Sequence, residues 1–160
     1  MSVEVIDPDY VPIQGVERAY EAVCVVKRNA PVNSNYWHLI LDAPSEVLKC
    51  APGQFFHLLC PVRGELAPYL RRPMSIYGCY PQIGELHFLY KITGQGTASI
   101  ATLKSGECFN ILGPLGSGFR IDASWQNLLV VARGVGLATL APLAQEAQIR
   151  GRRLTAICSA

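Results

Sequence analysis

Four short segments of this 160-residue chain carry residues able to grip an anionic ligand. The first is Arg71-Arg72-Pro73-Met74-Ser75. A guanidinium presents a planar fork of donors that suits bidentate binding of phosphate, and a serine hydroxyl a few residues on can reach a ring heteroatom of the same ligand. The same residues also describe a solvated basic pair beside a proline. The second segment is Gly94-Gln95-Gly96-Thr97, which follows Tyr90-Lys91-Ile92. Glycines at the start of a helix leave backbone N–H groups free for an anion, and the helix dipole adds to the attraction. Thr97 either adds a hydroxyl contact or caps the helix. An ordinary strand-to-helix turn is the competing reading. The third, Gly113-Pro114-Leu115-Gly116-Ser117-Gly118-Phe119, either lets backbone approach a flat ligand closely or links two domains. The fourth, Gly134-Val135-Gly136, lies between an apolar strand and a helix. It resembles the start of a dinucleotide turn, with Thr139 where a third glycine or alanine is usual.

Other reactive side chains offer less. His38, His57 and His87 show no triad spacing and read as structural or surface residues. The cysteines, at 24, 50, 60, 79, 108 and 158, include no C-x-x-C pair and no histidine at zinc-ligand spacing. They read as reduced, mostly buried thiols behaving as small hydrophobes. No metal site is expected on this chain, and Asp42, Glu46 and Glu85 show no paired-carboxylate spacing.

The elements that must position these residues are short. Strands are expected over 19–30, 36–43, 54–61, 71–80, 85–92 and 109–114, punctuated by turns at 31–35, 52–53 and 81–84. Such spacing argues for an antiparallel barrel or sandwich up to about residue 120. A helix-like stretch interrupts it over 94–104. Beyond residue 122 the texture changes. Residues 127–132 form a continuous apolar strand of the kind buried in a parallel sheet. A helix over 137–151 and a second apolar strand over 152–160 complete one βαβ unit. Residues 1–17, bearing Glu4, Asp7, Asp9 and Glu17, read as an N-terminal arm. The expected division is therefore 1–17 arm, 18–122 barrel, and 123–160 part of a nucleotide-binding α/β domain.

Composition narrows the function. Half the residues are apolar and 16% are charged, so the chain can bury a core and is not a disordered tail. A net charge of +2 lacks the concentrated basic face of a nucleic-acid binder. The longest apolar stretch, 128–144, is broken by Arg133, two glycines and Pro142, so no membrane span is expected. The N-terminus carries no secretory pattern, which together with the cysteine usage points to the cytoplasm.

The order RRPMS, YKITGQGT, GPLGSGF, VARGVG resembles that of the ferredoxin–NADP reductase superfamily, and within it the electron-transfer-subunit family of bacterial dihydroorotate dehydrogenases. The resemblance spans residues 18–160. It implies a six-stranded antiparallel FAD-binding barrel with one helix, followed by the first βαβ unit of a truncated NAD(P)-binding domain. By this resemblance Arg72 and Pro73 lie at the FAD pyrophosphate, and Met74 stands where many members place a tyrosine against the flavin. Ser75 lies near the reactive flavin nitrogen, Tyr90, Lys91 and Ile92 line the ribityl and ring region, and Gly96 and Thr97 bind phosphate. Gly134 and Gly136 belong to an NAD(P)H turn that departs from the family's glycine run at Ala132-Arg133 and Thr139. Arg133 there either meets a phosphate or blocks the pyrophosphate. The implied function is an FAD-dependent oxidoreductase component that passes electrons from NAD(P)H to an iron–sulfur or flavoprotein partner, with no acid–base catalytic residue. No iron–sulfur cluster is expected on this chain, which reads as a fragment, as a split subunit whose nucleotide-binding domain another chain completes, or as a remnant with altered function. The alternative is a non-catalytic FAD-binding assembly or relay module with a degenerate NAD(P) site.

Overall fold

The computed structural model describes residues 18–159; the expected arm over 1–17 lies outside the described residues. Nine strands and two α-helices follow one another in the order expected, with one exception. Strands β1 (Tyr20–Pro31), β2 (Tyr36–Asp42) and β3 (Phe55–Leu58) come first. The expected single strand over 71–80 is two strands, β4 (Arg72–Ser75) and β5 (Gly78–Tyr80). Next come β6 (Glu85–Lys91), α1 (Gln95–Ala101) and β7 (Cys108–Leu115). The chain ends with β8 (Asn127–Arg133), α2 (Gly136–Ile149) and β9 (Arg153–Ser159).

The first seven strands form one antiparallel sheet in the order β4-β3-β7-β1-β2-β6-β5. The break between β4 and β5 explains why seven strands appear where six were expected. β4 pairs with β3 and β5 pairs with β6, at opposite edges of the sheet. Only Ile76 and Tyr77 lie between them. The Ile76 N–H donates to Gln54 O at 3.2 Å and the Tyr77 N–H to His87 O at 2.9 Å. One stretch of chain thus changes partner midway, so the sheet must curl to bring its edges together.

Period-two alternation supplies the core. Leu39 and Leu41, Phe56 and Leu58, Leu86, Phe88 and Tyr90, and Phe109 and Ile111 all point inward and are buried. Phe56 meets Phe88 edge-on at 5.8 Å. β1 keeps this alternation through Cys24 and Val26, then a bulge between Val26 and Arg28 shifts its phase. An extra residue in a strand re-aims the side chains that follow. Here it turns Asn29 inward.

β8 and β9 form a separate parallel pair, joined through α2. Ala138, Leu143 and Ala147 of α2 are buried, whereas Leu129, Val131 and Ile157 are more than half exposed. No helix among the described residues is long and apolar enough to cross a membrane. The thiols depart from expectation. Cys24 and Cys60 are buried, Cys50 and Cys79 half-buried, and Cys108 and Cys158 exposed. Cys108 opens β7 at the rim of the sheet, and Cys158 lies on β9, which little covers.

Candidate functional site

Arg71 and Arg72 are adjacent in sequence and different in situation. Arg71 Nη2 pairs with Glu21 Oε1 at 2.6 Å. Arg72 pairs with no carboxylate among the described residues; its Nη1 donates to Leu70 O at 2.9 Å and to Arg71 O at 3.3 Å. Those carbonyls orient the guanidinium without neutralising it. Its charge also reaches Cys60, where it opposes the dominant effect of burial, which raises the thiol pKa.

The stem and guanidinium of Arg72 lie against Gly96, in the first turn of α1. A Cβ on Gly96 would stand 2.8 Å from Arg72 Cζ and 3.0 Å from Cγ. A side chain at position 96 would have to push Arg72 aside, so glycine permits this approach. The contact places an uncompensated cation beside the first N–H groups of α1, which have no partners within their own helix.

Three residues hold α1 in that position. Asn29, turned inward by the bulge, donates to Ile100 O at 2.9 Å and to Leu103 O at 3.3 Å. Its Oδ1 accepts from the Tyr90 hydroxyl at 2.9 Å. The carboxyl end of α1 is thereby tied to β1 and β6. At the other end, Thr97 Oγ1 accepts from Thr93 N at 2.9 Å and Gly94 N at 3.3 Å, and donates to Gly94 O at 3.1 Å. Its hydroxyl is thus fully engaged in closing the turn before the helix, which leaves the neighbouring backbone N–H groups as the donors on offer.

The other residues singled out by the sequence fall into two sets. Pro73 is exposed and Met74 half-buried against the core. Ser75 is half-buried, sits opposite Phe55 of β3, and makes no side-chain hydrogen bond among the described residues. Lys91 and Ile92 are exposed at the end of β6. Tyr90 belongs to the second set: it is 1% exposed, and burial raises its hydroxyl pKa strongly. Its side chain is a core strut.

The glycines of the 113–119 loop serve packing. A Cβ on Gly113 would lie 2.7 Å from Phe56 Cγ, one on Gly116 2.9 Å from Phe55 Cε1, and one on Gly118 2.8 Å from Ala51 Cβ. The close approach made here is to the protein's own rings and to the turn before β3. Gly134 differs. It has φ +56°, a conformation side chains disfavour, and the space around Gly136 is open to 4 Å. The nearest side chain to Gly134 is Tyr36, whose hydroxyl would lie 3.8 Å from a Cβ there. Tyr36 opens β2 opposite Lys91 of β6, so the βα turn lies within reach of a side chain from that end of the sheet. α2 begins at that turn without a side-chain cap.

One cluster was missed by the sequence reading. His87 Nε2 lies 2.9 Å from Glu85 Oε2, and His87 Nδ1 lies 3.3 Å from His38 Nε2. Glu85 in turn pairs with Lys27 at 2.8 Å. Burial, then the neighbouring His87 and Arg28, lowers the His38 pKa. The available signal was the two-residue step from Glu85 to His87, which puts both on one face of a strand. His38 joins only across the β2–β6 register.

Comparison with known proteins gives these features a context. The oxidoreductase FAD-binding domain family matches residues 22–119. The electron transfer subunit of dihydroorotate dehydrogenase B (NAD(+)) from Bacillus cereus strain Q1 is 36% identical over 132 residues, which is 81% of this chain and 50% of that protein. The same subunit from Bacillus anthracis strain A0248 matches equally. The chain thus spans about half the length of the curated relatives it matches. Among solved structures, an NADH-dependent reduced ferredoxin–NADP oxidoreductase associated with flavin-based electron bifurcation superposes with TM-score 0.74 at 26% identity. It covers 86% of this chain and 49% of that one. Phthalate dioxygenase reductase shares the fold, with TM-score 0.72 at 16% identity over 87% of this chain and 44% of its own.

Proposed function

The chain belongs to the oxidoreductase FAD-binding domain family, and we propose that it is the flavin-binding, electron-transferring part of an NAD(P)H-dependent reductase. The observation that carries this is the contact of Arg72 with Gly96. A pyrophosphate needs opposing positive charge and several N–H donors. Here an arginine with no carboxylate partner among the described residues lies on the bare backbone of a helix start, where an added methyl group would push it aside. The residues present fit FAD.

In this reading residues 18–122 hold FAD and residues 123–160 contribute to the nicotinamide site. Arg72 and the N–H groups around Gly96 hold the pyrophosphate, with Pro73 fixing the strand beside it. Thr97 shapes the phosphate turn rather than touching the ligand. Met74 lies near the ring system, and Ser75 offers a hydroxyl to the flavin. Backbone at Tyr90, together with Lys91 and Ile92, lines the ribityl and ring region. Bound FAD supplies the exchange between two-electron and one-electron carriers, and the protein supplies placement and electrostatics. The open turn at Gly134 and Gly136 is the place for the phosphates of NAD(P)H.

The partners follow from the same reading. Electrons pass to an iron–sulfur protein or flavoprotein, as the similarity to a dihydroorotate dehydrogenase electron transfer subunit suggests. Exposed Leu129, Val131 and Ile157 fit a β8–β9 sheet extended by further polypeptide that completes the nucleotide-binding domain. A cytoplasmic location fits the cysteine usage.

A second reading, a flavin-binding relay module with a degenerate nicotinamide site, is favoured by Arg133, exposed at the turn where the family resemblance places a glycine run. Anaerobic addition of NADH or NADPH to the flavin-loaded chain separates the two. Bleaching of the visible flavin band is expected for the reductase. A yellow protein that neither nucleotide reduces establishes the relay module instead.

A further inference from the structure

A cavity of about 150 Å³ lies between the curled sheet and α2. Ala51, Pro52 and Ile76 line it on one side, and Pro142, Gln145 and Glu146 on the other. Two cysteines also reach it, Cys50 from the turn before β3 and Cys79 from β5. They are 29 residues apart in sequence (79 − 50) and sit on different elements, yet both line this one small cavity. Cys79 Sγ is also directed at Leu48 O, at 3.2 Å. Both residues are half-buried rather than sealed, and the cavity they line admits a small solute.

We propose that Cys50 and Cys79 form a dithiol that closes to a disulfide, a modification site for two-electron oxidants of the peroxide class at the junction of the sheet and α2. The thiolate is the nucleophile in such chemistry. The Cys50 thiol, by hydrogen bonding to Cys79 sulfur, lowers the Cys79 pKa against the opposing effect of burial, so Cys79 is the attacking residue. Its sulfur takes one oxygen of hydrogen peroxide. An S–O bond forms, the O–O bond breaks, and the other oxygen leaves as water with the Cys79 proton. Cys50 sulfur then attacks Cys79 sulfur, the S–O bond breaks, and the second water leaves with the Cys50 proton. Two electrons pass from the thiols to the peroxide, and one S–S bond remains.

The position gives the modification a consequence. β5 continues through Tyr77 and Ile76 directly into β4, which carries Arg72 and Ser75. Gln145 of α2 also donates to the Tyr80 hydroxyl at 3.3 Å, across the same junction. A bond between residues 50 and 79 ties the turn before β3 to the strand that joins the two edges of the sheet.

The test uses the full chain carrying Cys108→Ser and Cys158→Ser, which removes the two exposed competitors. After brief peroxide treatment the free thiols are alkylated and the digest is mapped by mass. A linked peptide joining residues 50 and 79, and its loss on treatment with dithiothreitol, is the expected result. Adding Cys79→Ser to this background is expected to slow loss of the Cys50 thiol by about tenfold, since its more reactive neighbour is gone. Recovery of both residues as separately alkylated or separately oxidised cysteines overturns the proposal, as does an unchanged Cys50 rate in the variant. No flavin is needed, so the outcome is independent of the cofactor assignment.

Discussion

The curled sheet and the β8-α2-β9 unit are built from similarly apolar strands, yet they reach different degrees of completion. In the sheet, Leu39, Phe56, Phe88 and Ile111 are fully buried, and the segment 72–80 connects its two edges. In the α/β unit α2 covers one face only, and Leu129 and Val131 are 66% and 70% exposed. Closure, rather than hydrophobic content, separates the two regions. A sheet that rolls onto itself satisfies its own faces, whereas a two-stranded parallel sheet needs further strands or helices. The candidate pyrophosphate site lies wholly within the closed region. The candidate nicotinamide turn lies in the open one.

The contrast can be broken by mutation at several strengths. Phe56→Ala should be the most damaging, costing about 3–5 kcal/mol of stability through loss of ring burial and the cavity left behind. Urea denaturation measures it, and a cost below about 1 kcal/mol would mean that the sheet is not the closed core described here. Arg72→Ala should leave folding nearly intact and weaken FAD binding by about 1.5–3 kcal/mol, since it removes a charge-assisted contact. Titration of flavin fluorescence reads this directly, and Arg71→Ala provides the control because that residue is occupied by Glu21.

Smaller effects sharpen the account. Tyr90→Phe deletes the hydrogen bond to Asn29 while keeping the buried ring, and should cost about 1 kcal/mol by chemical denaturation. Flavin affinity should change little if Tyr90 acts as a core strut, whereas a large loss of binding would move its side chain into the site. His38 predicts a pH dependence. Its pKa is lowered from 6.5 by burial and by His87 and Arg28, so the unfolded chain takes up a proton at higher pH than the folded one. Stability contributed by neutral His38 is therefore present above pH 6.5 and declines as pH falls below it. His38→Gln should flatten that decline in denaturation midpoints compared between pH 5 and 7.5. Leu129→Ser is expected to have the least effect on stability, within about 0.5 kcal/mol, because its side chain has no core to leave. A large destabilisation there would show that the α/β unit is already covered.

Much of this was legible in the residues. Turns at Pro81–Ile83 and before β3 announce themselves through proline and glycine, and the alternation of ELHFLYK predicts a half-buried strand. The pairing of Arg72 with the GQGT turn is readable only as a motif order, because the contact spans different elements. What sequence could not show is set by register. The bulge that aims Asn29 at Ile100 O and the Tyr90 hydroxyl depends on one extra residue opposite β2. The break at Ile76-Tyr77 reflects a change of hydrogen-bond partner, not of composition. His38 meets His87 only across a ladder. Tyr90 carries two signals at once: motif order puts it at the candidate site, while the inward phase it shares with Leu86 and Phe88 puts its ring in the core.

The most direct test incubates the purified, folded chain with excess FAD, removes unbound flavin by gel filtration, and records the visible spectrum alongside Arg72→Ala. The account predicts a yellow chain with a perturbed flavin band, and at least about tenfold weaker retention in the variant. A well-folded chain that emerges colourless, or a variant that holds flavin as tightly as the parent, would contradict it.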